Sequence, residues 1–182
     1  MYHRTTTPLP GSSVPMGSIY HLLASHARLS PDSPALTAPG RTPLSYGRLL
    51  AQMEQVVDGL NRGGIGRGER VAMVLSNGPE MAAAFLGVAA CATAAPLNPG
   101  FRAAEFEFYL SDLQARALIV ESGTDSPARS VAQQLKIPIV ELRPEPGSAA
   151  GLFTLGLDRQ AEPPAPPRRQ NKAGRQKLIA DS

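Results

Sequence analysis

Residues 66–112 read GRGERVAMVLSNGPEMAAAFLGVAACATAAPLNPGFRAAEFEFYLSD, and the order of elements in this stretch decides the fold class. Val71, Ala72, Met73, Val74 and Leu75 form a short unbroken apolar run, the pattern of a strand covered on both faces. Asn77 is predicted to cap the helix that follows, with Pro79 in its first turn and Glu80 near the positive end of its dipole. Met81, Phe85, Val88 and Ala89 form its expected buried side. The small residues 92–95 lead into a tight strand at Pro96-Leu97, and Asn98-Pro99 turns the chain. Phe106, Tyr109, Leu110 and Leu113 then recur at helical spacing, with Glu105, Glu107 and Asp112 toward solvent. Strand, helix, strand, helix in this order builds the crossover units of a parallel sheet.

The same alternation extends in both directions. Downstream, ALIV at residues 117–120 is a second buried-type strand, residues 127–136 a short helix carrying Val131 and Leu135, and IPIVEL at 137–142 the last expected strand. Upstream, Ser18 caps a helix with Ile19, Leu22, Leu23 and His26 on one face, where His26 is expected as a half-buried packing residue. Residues 35–45 read as two extended pieces around Pro39-Gly40, a hairpin. Ser45 caps a long helix with a continuous stripe of Tyr46, Leu49, Leu50, Met53, Val56, Val57 and Leu60, stopped by Gly63 and Gly64. The expectation is one α/β domain over residues 18–157, a largely parallel sheet flanked by helices with right-handed crossovers. Residues 1–17 are expected to be a disordered start, with Met16 an alternative to Met1. Residues 158–182 are expected to be a disordered basic tail. The abrupt change of character there is also what a frameshift or premature end would leave.

Charge separates the same regions. Residues 159–182 hold six basic and two acidic residues, net +4, so the overall +3 leaves the first 158 residues at −1. The body therefore has no electrostatic case for nucleic acid. No apolar run reaches the ~20 residues of a membrane span, and the opening lacks the apolar core of a secretory signal. Cys91 is the single cysteine, so no internal disulfide can form and a cytoplasmic location is expected. It sits in the apolar run LGVAACATAA, where a small buried hydrophobe is the expected role.

Several stretches imitate chemistry. Gly64, Gly66 and Gly68 have dinucleotide-loop spacing, but phosphate-binding glycines must follow a strand and open a helix. These follow a helix and precede a strand, so they mark a helix stop. ESGTDSPAR at residues 121–129 does follow a strand and open a helix. However, it has one glycine, a repulsive Asp125, and Arg129 where a phosphate loop needs lysine. It reads as an ordinary connection. Glu105 and Glu107 point to different sides of a helix, and no metal-spaced Cys/His cluster or nucleophile motif occurs. No catalytic, cofactor-binding or metal-binding residue is assigned.

The segments LSYGRL at 44–49, GRGERVAMVLSNGPE at 66–80 and FLGVAACATAAPLNPGFRAAEFEFYLSD at 85–112 resemble, in order, the amino-terminal region of AMP-forming acyl-CoA synthetases. Glu69 stands in place of the usual Asp. The run PLNPGFRAAEFEFYLSD is most similar to the branch of oxalate–CoA ligases and related peroxisomal-type enzymes. The resemblance spans residues 18–142. It implies a parent reaction in which a carboxylic acid, Mg-ATP and CoA give acyl-CoA, AMP and pyrophosphate. It also implies that the ATP loop, adenine segment, ribose-binding Asp and catalytic Lys lie beyond the matched residues, so no functional residue carries over. The expected function is a truncated ligase fragment, inactive alone. The alternatives are a stand-alone nucleotide- or acyl-binding module, or an interaction protein acting through the basic tail. A fragment of this kind is expected to self-associate or to need a missing carboxyl-terminal half, because an uncovered edge among VAMVL, ALIV and IPIVEL would template aggregation.

Overall fold

The computed structural model of the chain describes residues 18–157. The expectations for a disordered start and a disordered basic tail lie outside the described residues. In chain order the elements are α1 (Ile19–Leu29), β1 (Pro34–Leu36), β2 (Leu44–Ser45), α2 (Tyr46–Arg62), β3 (Arg70–Val74), α3 (Pro79–Cys91), β4 (Thr93–Pro96), α4 (Ala103–Asp112), β5 (Ala117–Glu121), α5 (Pro127–Gln134), β6 (Ile139–Pro144) and β7 (Phe153–Leu157). β1 and β2 form a small antiparallel hairpin. The other strands make one sheet in the order β4-β3-β5-β6-β7, parallel except for β7, which runs antiparallel to β6.

Period-two alternation on each strand feeds two separate cores. Val71, Met73, Ala117, Ile119, Val140 and Leu142 pack with Leu49, Met53 and Val56 of α2 and Ala83, Ala84 and Val88 of α3. Ala72, Val74, Leu118, Val120 and Ile139 face the other way, onto Phe106 and Leu110 of α4 and Val131 and Ala132 of α5. From β3 the chain steps one way to β4, then back across β3 to β5. A single crossover hand for both steps requires α3 and α4 on opposite faces, and they are. Gln52 is the one buried polar residue of the described core, and its Nε2 donates to the Phe153 carbonyl at 3.0 Å, fastening α2 to β7.

Several local expectations are corrected. A strand follows IPIVEL: β7 pairs along β6 from Pro144 opposite Phe153 to Val140 opposite Leu157. The three buried-type strands are therefore all interior, and the edges belong to β4 and β7. The strand before Asn98 is Thr93–Pro96 rather than Pro96-Leu97. Gly78, not Asn77, is the N-cap of α3, without a side-chain bond. The buried side of α3 is Ala83, Ala84, Gly87 and Val88, while Phe85 is exposed. The reason is close approach: a Cβ on Gly87 would come within 2.7 Å of Val56 Cβ, so α2 and α3 meet through small residues. Leu22 is also exposed, because α1 is buried through Ala27 while Tyr20 and Leu23 pack on the core. His26 is exposed rather than half-buried, and stacks on Tyr46 with ring centroids 5.2 Å apart. Tyr109 is partly exposed and stacks on Phe101 at 5.1 Å.

Candidate functional site

In open parallel sheets, ligands bind beyond the carboxyl ends of the strands, where the strand order reverses. Here that point lies between β3 and β5, flanked by the loops that open α3, α4 and α5. Free backbone N–H groups at a helix start would suit a phosphate. The chain places its own carboxylates at two of these starts and a capping hydroxyl at the third.

At α3 the first-turn carboxylate of Glu80 accepts from Arg41 Nη1 at 2.8 Å and from the Gly151 N–H at 3.3 Å. Arg41 Nη2 reaches the carbonyls of Ala149 at 3.1 Å and Glu145 at 3.2 Å. One guanidinium thus ties the β1–β2 turn, α3 and the segment entering β7 together. Both side chains are about four-fifths buried, which strengthens the pair. Gly151 sits in the knot at φ +94°, and a Cβ there would meet the Pro79 carbonyl at 3.0 Å and Leu36 Cδ1 at 3.1 Å. At α4, Glu105 accepts from the Arg102 N–H at 2.8 Å.

At α5 the Ser126 hydroxyl accepts from the Ala128 N–H at 3.3 Å. The decoy segment 121–129 is closed by Arg129. Its Nη1 donates to Glu141 Oε1 at 2.9 Å, Nη2 to the Glu121 carbonyl at 2.8 Å and Nε to the Thr124 carbonyl at 2.9 Å. Ser122 and Arg143 also donate to Glu141. The Arg129 bond, helped by these two, holds the Glu141 carboxyl below its ordinary value. Arg129 thus staples the segment from within. The Gly64–Gly68 stretch likewise follows α2 and precedes β3, as the sequence implies for a helix stop.

Cys91 is only partly buried, yet burial pushes its thiol up to about 11, so it is protonated and unreactive at neutral pH. The Ser18 hydroxyl lies 3.1 Å from His21 Nδ1. Ser18 is the N-cap of α1 and accepts from the His21 N–H, so this Ser–His contact belongs to a helix start. Among the described residues no group of three or more His, Cys, Asp or Glu is placed to hold a metal ion. No helix of the described residues is long and apolar enough to cross a membrane. Sequence reasoning missed Arg41, Glu80 and Gly151 as a unit. The signals were a glycine between Ala150 and Leu152 and an acidic first turn, 71 residues apart in the chain.

The family model for AMP-binding enzymes matches residues 23–174. The chain belongs to that family. It is 40% identical to an oxalate–CoA ligase of Arabidopsis thaliana over 118 residues, 64% of this chain and 23% of that protein. It is 33% identical to a probable CoA ligase of Humulus lupulus over 133 residues, covering 66% and 25%. Its fold matches the crystal structure of the N-terminal domain of FACL13 from Mycobacterium tuberculosis with a TM-score of 0.56 at 29% identity, covering 65% of this chain and 30% of that one. The match is therefore to the amino-terminal region of acyl-CoA ligases, and the chain spans about a quarter of the length of these curated relatives. The parent family uses ATP, Mg and CoA. At the three helix starts the described residues place the Glu80 and Glu105 carboxylates, which would repel a phosphate, and the Ser126 hydroxyl, which already takes the Ala128 N–H.

Proposed function

We propose that residues 18–157 are the amino-terminal scaffold of an AMP-forming acyl-CoA ligase, and that these 182 residues alone do not adenylate a carboxylic acid. The parent reaction joins a carboxylic acid to CoA at the expense of ATP, releasing AMP and pyrophosphate. The single observation behind the reading of inactivity is what stands at the three helix starts beside the switch point: the Glu80 and Glu105 carboxylates, and a Ser126 hydroxyl already bonded to the Ala128 N–H. A phosphate arriving there would meet Glu80 and Glu105 as like charges and at α5 would have to displace the Ser126 hydroxyl from the Ala128 N–H. The same observation weighs against a stand-alone nucleotide module. The basic-tail reading concerns residues outside the described region, and deletion of residues 159–182 addresses it.

The Arabidopsis relative's name makes oxalate the first acid to test, with fatty acids second. The assay is pyrophosphate release from Mg-ATP by the purified chain, alongside calorimetric titration with ATP. Background-level release and no saturable heat are expected. Turnover with either acid would overturn the inactive reading, and saturable ATP binding without turnover would favour the binding module.

A further inference from the structure

Only Phe106 and Leu110 of α4 are buried. On its outward side Ala104, Glu107, Phe108, Ser111 and Asp112, spaced at three and four, line one open, shallow face. Phe108 is 63% exposed in the middle of this face, and the helical turn sets Glu107 on one side of it and Asp112 on the other. A lone exposed phenylalanine needs no explanation, but this one ends a row of four rings. Buried Phe106 meets Phe101 edge-on at 5.8 Å, Phe101 stacks on Tyr109 at 5.1 Å, and Tyr109 meets Phe108 edge-on at 5.2 Å. The row runs from the core to solvent and backs Phe108 with other rings, so a partner that covers it has less side-chain freedom to remove.

Charge narrows what that partner is. Among the described residues neither Glu107 nor Asp112 takes part in a salt bridge, whereas Glu105 is engaged by the Arg102 N–H. The helix itself, AAEFEFYLSD, carries no basic residue. A second copy presenting the same face would set carboxylate against carboxylate, and an anionic lipid surface would meet the same repulsion. A cationic segment with some apolar side chains suits the face, because ammonium or guanidinium groups pair with the carboxylates while carbon covers the ring.

We infer that this face takes the chain's own segment 168–179, RRQNKAGRQKLI. That segment holds Arg168, Arg169, Lys172, Arg175 and Lys177, no acidic residue, and the apolar pair Leu178-Ile179. Its bases answer Glu107 and Asp112, and its apolar pair answers Phe108. Ten residues separate Leu157 from Arg168, and the eleven steps between them span up to about 36–40 Å. This exceeds twice the ~14 Å radius of gyration of a domain the size of residues 18–157. Exposed ion pairs are individually weak, and the tether offsets this by holding the segment at an effective concentration of roughly millimolar.

The chain has three lysines, Lys136, Lys172 and Lys177, so zero-length carbodiimide coupling of amine to carboxylate maps cleanly. The full 182-residue chain is used at about 1 µM, far below the tethered concentration, in about 10 mM salt. Peptide mapping is expected to find Lys172 or Lys177 joined to Glu107 or Asp112 within one molecule. In about 1 M salt, where the Debye length is ~3 Å, the yield is expected to fall about fivefold or more. Phe108→Ser keeps both carboxylates and is expected to lower the yield by a similar factor with circular dichroism unchanged. Arg168→Glu with Arg169→Glu keeps both lysines and should do the same, and it carries the test alone if Phe108→Ser does not fold. Coupling spread equally over other exposed carboxylates such as Asp58 and Asp125 would overturn the inference. So would products formed only between chains, no coupling of Lys172 or Lys177 at all, or a yield indifferent to a folded Phe108→Ser or to the Arg168/Arg169 variant.

Discussion

Three helices, α2, α4 and α5, hand over to strands at one end of the sheet, and all three use the same joint. The residue after each helix's C-cap takes positive φ: Gly64 at 72°, Gln114 at 48° and Lys136 at 56°. Its N–H returns to the carbonyl three residues back, and the next N–H, from Ile65, Ala115 or Ile137, returns to the carbonyl five back. This is the Schellman arrangement, made by backbone alone. At the opposite end, α3, α4 and α5 begin in three different ways: a long-range Arg41–Glu80–Gly151 knot, a local Glu105 bond, and a Ser126 cap stapled by Arg129. The difference lies in where specificity resides. A backbone joint tolerates almost any residue at a modest conformational cost, whereas a side-chain knot depends on particular atoms and fails when one is lost.

The largest effect should therefore come from the knot. Gly151→Ala adds a Cβ at φ +94° against the Pro79 carbonyl and Leu36, and about 3 kcal/mol of destabilisation is expected from left-handed strain plus overpacking. Urea unfolding of the variant measures it, and a loss under about 1 kcal/mol would mean the knot yields as easily as the backbone joints. Next comes Arg41→Gln, which leaves the mostly buried Glu80 carboxylate with only the Gly151 N–H. About 2 kcal/mol is expected. Adding Glu80→Gln should restore part of it, and strict additivity of the two changes would show that the residues are not coupled.

A smaller and pH-dependent effect is expected at Glu141. Its carboxyl is depressed mainly by the Arg129 hydrogen bond. A depressed carboxyl contributes stability above its unfolded value and loses it as pH falls through the folded one. The contribution of Glu141 should thus be complete at neutral pH and vanish in the acid range below the ordinary value of 4.5. Glu141→Gln is expected to cost up to about 1 kcal/mol at pH 7, with its melting-temperature curve meeting that of the parent chain only as pH falls through the depressed value of the Glu141 carboxyl. Curves that stay parallel throughout would mean that the loop is held by the Arg129–carbonyl bonds alone.

The same contrast explains what the sequence revealed. Strands β3, β5 and β6 were readable because burial on both faces leaves unbroken apolar runs, and α2 because its stripe repeats at three and four. Strand β7 was not, since an edge strand with Thr154 and Gly156 on its second face after a Gly/Pro-rich stretch has neither signature. The buried side of α3 was misread in part because close packing selects the smallest residues, Ala83 and Gly87, over Phe85, while Met81 packs on the core at its edge. Gly64 announced its joint through glycine, while Gln114 and Lys136 did not, because the joint is written in φ rather than in residue type. The Arg41–Glu80–Gly151 knot was hidden for another reason. Its members lie 39 and 71 residues apart, and single-sequence periodicity carries no information at that range.

The smallest prediction tests the backbone joints themselves. Lys136 occupies the left-handed region with an exposed side chain, and a non-glycine residue there costs roughly 1–2 kcal/mol relative to the right-handed alternative. Lys136→Gly removes that cost but increases the freedom of the unfolded chain, which offsets part of the gain. The net expectation is a stabilisation of about 0.5 kcal/mol, read as a rise in the urea midpoint at unchanged slope. Gln114→Gly should gain less, because Gln114 Oε1 also accepts from Arg70 Nη2 at 3.0 Å and that bond is lost. Gly64→Ala should lose about 1 kcal/mol. If Lys136→Gly instead destabilises by as much as Arg41→Gln, the bottom joints depend on their side chains too, and the contrast between the two ends of the sheet fails.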